Sequence, residues 1–138
     1  MLHIPTKEQK RLIFTGLLFI FLGILLGAFG AHVLKEYLSA EKFNSFETGV
    51  RYQIYHGLGL LIVVCFNVMF SLKTKWVSIF MTLGVFCFSF SIYILSLKDL
   101  FSFPIPKIFA LFTPIGGLFL LFAWLLFFIE VLKIKNKN

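Results

Sequence analysis

Four apolar stretches, at about residues 12–34, 52–72, 76–97 and 108–132, contain no aspartate, glutamate, lysine or arginine apart from Glu130 near the end of the last. Each is long enough to cross about 30 Å of hydrocarbon as an α-helix rising 1.5 Å per residue. A backbone in lipid must pair its own amides and carbonyls, and a helix does so within one segment. Composition points the same way. With 138 residues, 59% hydrophobic and 19% aromatic, and a mean hydropathy of +0.96, the chain has too few polar side chains to cover a surface in water. The expected fold is all-α: a polytopic membrane protein, four transmembrane helices in a bundle, forming a single membrane domain over residues 1–138.

The first stretch follows Lys7, Lys10 and Arg11, as a signal peptide would. It is longer than a signal core, however, and Ala28 to Ala31 give no clean A-x-A site, so a retained span is expected. Basic residues then set the orientation. Eight of the 13 lysines and arginines fall before the first span, between the second and third (Lys73, Lys75) and after the fourth (Lys133, Lys135, Lys137). The opposite loops hold Lys35, Lys42, Arg51, Lys98 and Lys107, nearly cancelled by Glu36, Glu41, Glu47 and Asp99, so the two sides carry +6 and +1. Both termini are predicted to be cytoplasmic. The +7 total is spread over short loops and tails, which suits anionic lipid headgroups and not nucleic acid. Cys65 and Cys87 fall inside spans, without a Cys-x-x-Cys, and read as small hydrophobes.

Between the first two spans, Phe43, Phe46, Glu47 and Val50 recur at helical spacing after Ser39, a candidate N-cap. This predicts a short amphipathic helix on the outer surface that turns at Gly49 into the second span. Within the membrane, small residues mark contact faces. Gly16, Gly23, Gly27 and Gly30 share one face of the first span, and Ser78, Thr82, Ser89, Tyr93 and Ser96 share one side of the third. In the fourth, Pro114 predicts a bend, with Gly116 and Gly117 admitting a neighbouring helix.

Polar residues concentrate in ETGVRYQIYHGLGLL, residues 47 to 61. At 100° per residue Gly49, Tyr52, His56, Gly59, Val63 and Asn67 form a stripe, which should face protein because an unpaired polar group in hydrocarbon costs several kcal/mol. His32, His56, Tyr93 and Thr113 place polar groups from all four spans in the outer-leaflet half.

GAFGAHVLK (27 to 35), FETGVRYQIYHGLGLL (46 to 61) and TPIGGLFLLFAW (113 to 124) resemble the signature blocks of the YgdD/YwdK family of small bacterial four-span inner-membrane proteins, a family of unknown function with eukaryotic relatives. CFSFSIYIL (87 to 95) departs from that family's third-helix block, since Phe90 stands where glycine is expected, and Ala123 replaces the glycine before Trp124. The resemblance implies a four-helix protein of the bacterial inner membrane, and it carries no reaction.

The candidate site is therefore a polar cluster of His32, Lys35, Glu47, Arg51, Tyr52, Gln53, His56, Tyr93 and Thr113, supported by packing glycines Gly23, Gly27, Gly30, Gly116 and Gly117. One reading is a binding site in which Arg51 holds a lipid headgroup or small anion while Tyr52, Gln53 and His56 complete a pocket. Its local alternative pairs Arg51 with Glu47 and packs Tyr52 on His56. A second is a haem- or quinone-linked redox protein using His32 and His56. A third is a structural subunit, associating with itself or another membrane protein. No catalytic residue and no metal site is assigned, because there is no nucleophile elbow, paired intramembrane carboxylates, glycine-rich phosphate loop or third ligand cluster.

Overall fold

The computed structural model describes residues 4–101 and 104–134, so Lys135 and Lys137 of the basic tail lie outside the described residues. Four helices, each long and apolar enough to cross a membrane, make up the fold: α1 (Lys7–Tyr37), α2 (Ala40–Phe70), α3 (Lys75–Leu100) and α4 (Phe109–Leu132). Thr6 starts α1 with a capping box, its hydroxyl accepting from the Gln9 amide at 3.2 Å while the Gln9 side chain accepts from the Thr6 amide at 2.8 Å. Ser39 caps α2 through the Lys42 amide at 3.4 Å. Two helices contain a π-helical turn, Gly30–Leu34 in α1 and Phe86–Phe90 in α3.

Side chains from all four helices close the main core, among them Leu12, Leu60, Met81, Val85, Leu120 and Phe127. Phe14, Phe21, Leu121 and Phe128 point outward and are exposed, as residues facing acyl chains would be. A second, smaller core of Leu34, Phe46, Val50 and Tyr93 lies towards the opposite end from the chain termini.

This second core changes one expectation. There is no separate surface helix turning at Gly49: residues 40 to 70 form one continuous helix of 31 residues, about 46 Å long. Phe46 and Val50 bury against α1 and α3, so the amphipathic face that would have lain on lipid is used inside the protein. Gly49 is helical and buried, its missing side chain making room for the Tyr93 ring. The helix is longer than about 30 Å of hydrocarbon, and its charged residues Glu41, Lys42, Glu47 and Arg51 all lie in its first half.

The glycine face of α1 packs along α2. A Cβ built on Gly16 would lie 2.8 Å from the Gly57 carbonyl, and one on Gly57 2.9 Å from the Gly16 carbonyl. The two backbones therefore touch reciprocally. Gly23 faces Ile54, Gly27 faces Val50 and Gly30 faces the Phe46 ring. On α4, Gly116 presses directly on the backbone of Cys87 and Phe88 inside the π-helical turn of α3, whereas Gly117 has only an ordinary 3.8 Å approach from the Phe88 ring. Close contact of α3 and α4 is thus achieved although Phe90 stands on α3 where a glycine was expected. Gly116 supplies the missing space from the other side.

Candidate functional site

Gly49, Gln53 and Gly57 recur every four residues on α2, which places the long Gln53 amide between two positions that have no side chain. Gln53 is only 2% exposed. Its Nε2 donates to the Phe19 carbonyl of α1 at 2.9 Å, and its Oε1 accepts from the Tyr93 hydroxyl of α3 at 2.9 Å. Ser89 on α3 donates to the Gly49 carbonyl at 2.8 Å. Ser91 lies 2.7 Å from the Thr113 hydroxyl of α4, and its own hydroxyl reaches the Phe88 carbonyl at 2.9 Å within the π-helical turn. These bonds join all four helices in one polar layer. Its members satisfy one another, as buried polar groups in lipid must.

The remaining cluster residues divide. Arg51 is exposed and stays on its own helix, 3.8 Å from the Glu47 carboxylate and donating to Thr48 at 3.1 Å. His32 and Lys35 are exposed at the far end of α1 and make no hydrogen bond or ion pair among the described residues. His32 and His56 are therefore not joined by any contact. No group of three or more histidine, cysteine, aspartate and glutamate side chains converges among the described residues.

His56 and Tyr52 belong to a different feature. A groove of about 830 Å³ runs between α2 and α4 with Phe88 of α3 beside it, lined by Tyr52, Tyr55, His56, Leu121 and Trp124 among others. The Tyr52 ring stacks on Phe88 with centroids 4.5 Å apart, and His56 lies 5.8 Å from Tyr52 and 6.1 Å from Trp124. His56 is 6% exposed. Its Nδ1 lies 2.7 Å from the Tyr52 carbonyl of its own helix. A carbonyl only accepts, so Nδ1 carries the proton and Nε2 of the neutral ring is an acceptor. That nitrogen has no hydrogen-bond partner among the described residues. Gly117 and Pro114 line the opposite wall, so Gly117 widens this groove and does not act as a packing contact.

A second polar group, outside the predicted cluster, lies at the end of the bundle that holds both termini. Gln9 of α1 donates to Asn67 of α2 at 2.7 Å, and Asn67 donates to the Leu72 carbonyl at 2.7 Å. Glu130 of α4 accepts from the Lys73 amide at 3.3 Å and pairs with Lys133. The T-x-x-Q spacing of Thr6 and Gln9 signals the capping box, but nothing local indicates that the same glutamine reaches Asn67, 58 residues later.

Residues 26–117 match the model of a family described as a protein of unknown function, DUF423. A UPF0382 membrane protein of Staphylococcus haemolyticus is 38% identical over 91% of this chain and 98% of its own length. Another from Staphylococcus saprophyticus is 37% identical over 91% of this chain and 100% of its own. The UPF0382 inner membrane protein YgdD of Escherichia coli is 37% identical over 86% of both chains. No solved structure matches. The family match holds the second and third spans whole with the end of the first and the start of the fourth, the relatives are named membrane proteins, and the chain belongs to the DUF423 family of multi-pass membrane proteins of unknown function.

Proposed function

We propose that this protein binds one lipid-soluble ligand in the groove between α2 and α4, with the ligand's polar head at His56. The observation that supports this reading is the fixed tautomer of His56, whose Nδ1 is committed to the Tyr52 carbonyl at 2.7 Å. An acceptor nitrogen is left facing apolar surroundings. Leaving it unpaired in hydrocarbon is unfavourable, and a ligand that donates a hydrogen bond removes that cost. The hydroxyls of Tyr52 and Tyr55 on the same wall can donate to a ligand oxygen in turn. A quinol or quinone has such groups on a flat ring that suits Tyr52, Phe88 and Trp124, and a tail that lipid accommodates. About 830 Å³ is within the usual range for small-molecule sites.

The polar layer around Gln53 has a different role in this reading. Its donors and acceptors are used within the bundle, so it holds α1, α2 and α3 in register while His56 serves the ligand. Arg51, paired with Glu47, takes no part. In this reading the ligand site lies in the extracytoplasmic half of a bacterial inner membrane, with both termini in the cytoplasm, an orientation that the distribution of lysine and arginine supports.

The test is native mass spectrometry of the purified protein with a short-tailed benzoquinone and, separately, its quinol. A one-to-one adduct is expected, weakened about tenfold in His56→Phe, which keeps the ring volume and removes the acceptor, and unchanged in Arg51→Ala. A protein that stays bare, or an adduct indifferent to His56→Phe, would favour a purely structural role for the cluster.

A further inference from the structure

At the end of the bundle that holds both termini, a recess of about 380 Å³ lies between the start of α1, the end of α2 and the start of α3. Leu12, Val64 and Leu72 form its apolar side, and Lys73, Thr74, Lys75 and Trp76 its rim. α3 begins here without a side-chain cap. Its first intrahelical bond runs from the Ser78 amide to the Thr74 carbonyl at 2.9 Å, so the amides of Lys75, Trp76 and Val77 precede the helical ladder and carry the positive end of its dipole.

Thr74 is a residue type that ordinarily caps a helix with its own hydroxyl. Its backbone, at φ −102° and ψ 0°, is outside the extended region that capping uses, and the hydroxyl does not reach those amides. The side chain is 7% exposed and lines the recess, and its hydroxyl has no hydrogen-bond partner among the described residues. A largely buried side chain whose hydroxyl is accessible and without a partner, set beside free amides, is arranged for an acceptor that comes from outside.

Charge identifies that acceptor as an anion. Lys73 and Lys75 flank the recess and Glu8 is the acid on its wall, while Glu130 is occupied by Lys133 and the Lys73 amide. Lys75 forms no ion pair among the described residues. Trp76 is exposed beside them, and its ring suits the boundary between acyl chains and headgroups. We infer that this recess binds a phosphate-bearing anion through the Thr74 hydroxyl, the first amides of α3 and Lys75. An anionic phospholipid headgroup is the source that a membrane offers, with its chains lying against the apolar side.

The experiment uses the full-length protein, delipidated in mild detergent and titrated separately with dioleoylphosphatidylglycerol, dioleoylphosphatidylcholine and inorganic phosphate, with adducts read by native mass spectrometry. Phosphatidylglycerol should bind one-to-one and about tenfold more tightly than phosphatidylcholine. That preference should vanish in Thr74→Val and in Lys75→Gln and persist in Thr74→Ser. Thr74→Val is the discriminating variant because it alters no charge, and general attraction of acidic lipid to a basic surface would leave it unaffected. Should Thr74→Val fail to fold, Lys75→Gln set against Lys10→Gln, an equal loss of charge outside the recess, carries the test, because general attraction would respond to both alike. An inorganic phosphate adduct with the same sensitivity, in place of the lipid's, assigns the recess to the free anion. Equal binding of both lipids without a phosphate adduct, or a phosphatidylglycerol preference that survives Thr74→Val, overturns the inference.

Discussion

Replacing Gln53 with leucine removes the amide that joins the Phe19 carbonyl of α1 to the Tyr93 hydroxyl of α3. The carbonyl keeps its place in the α1 backbone ladder, but the tyrosine hydroxyl is left buried without a partner. Gln53→Leu should therefore lower stability by about 1–2 kcal/mol, within the range for a buried polar group that loses its partner. Tyr93→Phe added to that background should cost less than Tyr93→Phe alone, since the orphaned hydroxyl is then absent. Reversible unfolding in detergent, followed by far-ultraviolet circular dichroism across the four-protein cycle, measures this coupling. Additive losses would mean that the two side chains act separately.

Between elements, the contact of α3 with α4 depends on one glycine of an adjacent pair. A methyl group on Gly116 would run into the backbone of Cys87 and Phe88, which cannot move without shifting the helix. On Gly117 it would meet only the Phe88 ring, at 3.8 Å. Gly116→Ala should cost about 1–3 kcal/mol, as overpacking does, and Gly117→Ala should leave the unfolding midpoint nearly unchanged. Because Gly117 lines the groove, its alanine variant is expected to affect quinone binding more than folding. The same unfolding assay, run on both variants, decides this, and equal losses would contradict the contact described.

For the molecule as a whole, the charge distribution predicts how it sits in the bilayer. Both termini should be cytoplasmic, so a fluorescent protein fused after residue 138 should fluoresce while a periplasmically active phosphatase at the same place should not. Exchanging Lys73 and Lys75 for glutamine removes two of the charges on which this orientation is predicted to depend, and should increase the fraction of inverted molecules. The glycine face of α1 is taken up by α2 through Gly16, Gly23, Gly27 and Gly30, which leaves association with other chains to the apolar outer faces.

The sequence by itself determined the class of this protein, because four stretches of the length of a bilayer can satisfy their backbones in lipid only as helices. Helical periodicity also put His56 on a buried side of α2, but Tyr52 of the same stripe is exposed, and the deeply buried Gln53 lay outside that stripe. Which of them meet was not legible. Gln53 reaches Phe19 across 34 residues and Tyr93 across 40, while His56 turns its Nδ1 back onto its own helix. Side-chain periodicity gives a face and a depth, but pairing depends on how closely two helices approach and at what rotation. That approach was set by Gly16, Gly57 and Gly116 and by the π-helical turns at Gly30–Leu34 and Phe86–Phe90. Each such turn adds a residue to its helix and rotates everything beyond it, which no reading at a fixed 100° per residue anticipates. For the same reason the stretch from Ala40 to Gly49 joined α2: its apolar face found a partner in Leu34 and Tyr93 that only the assembled bundle brings within reach.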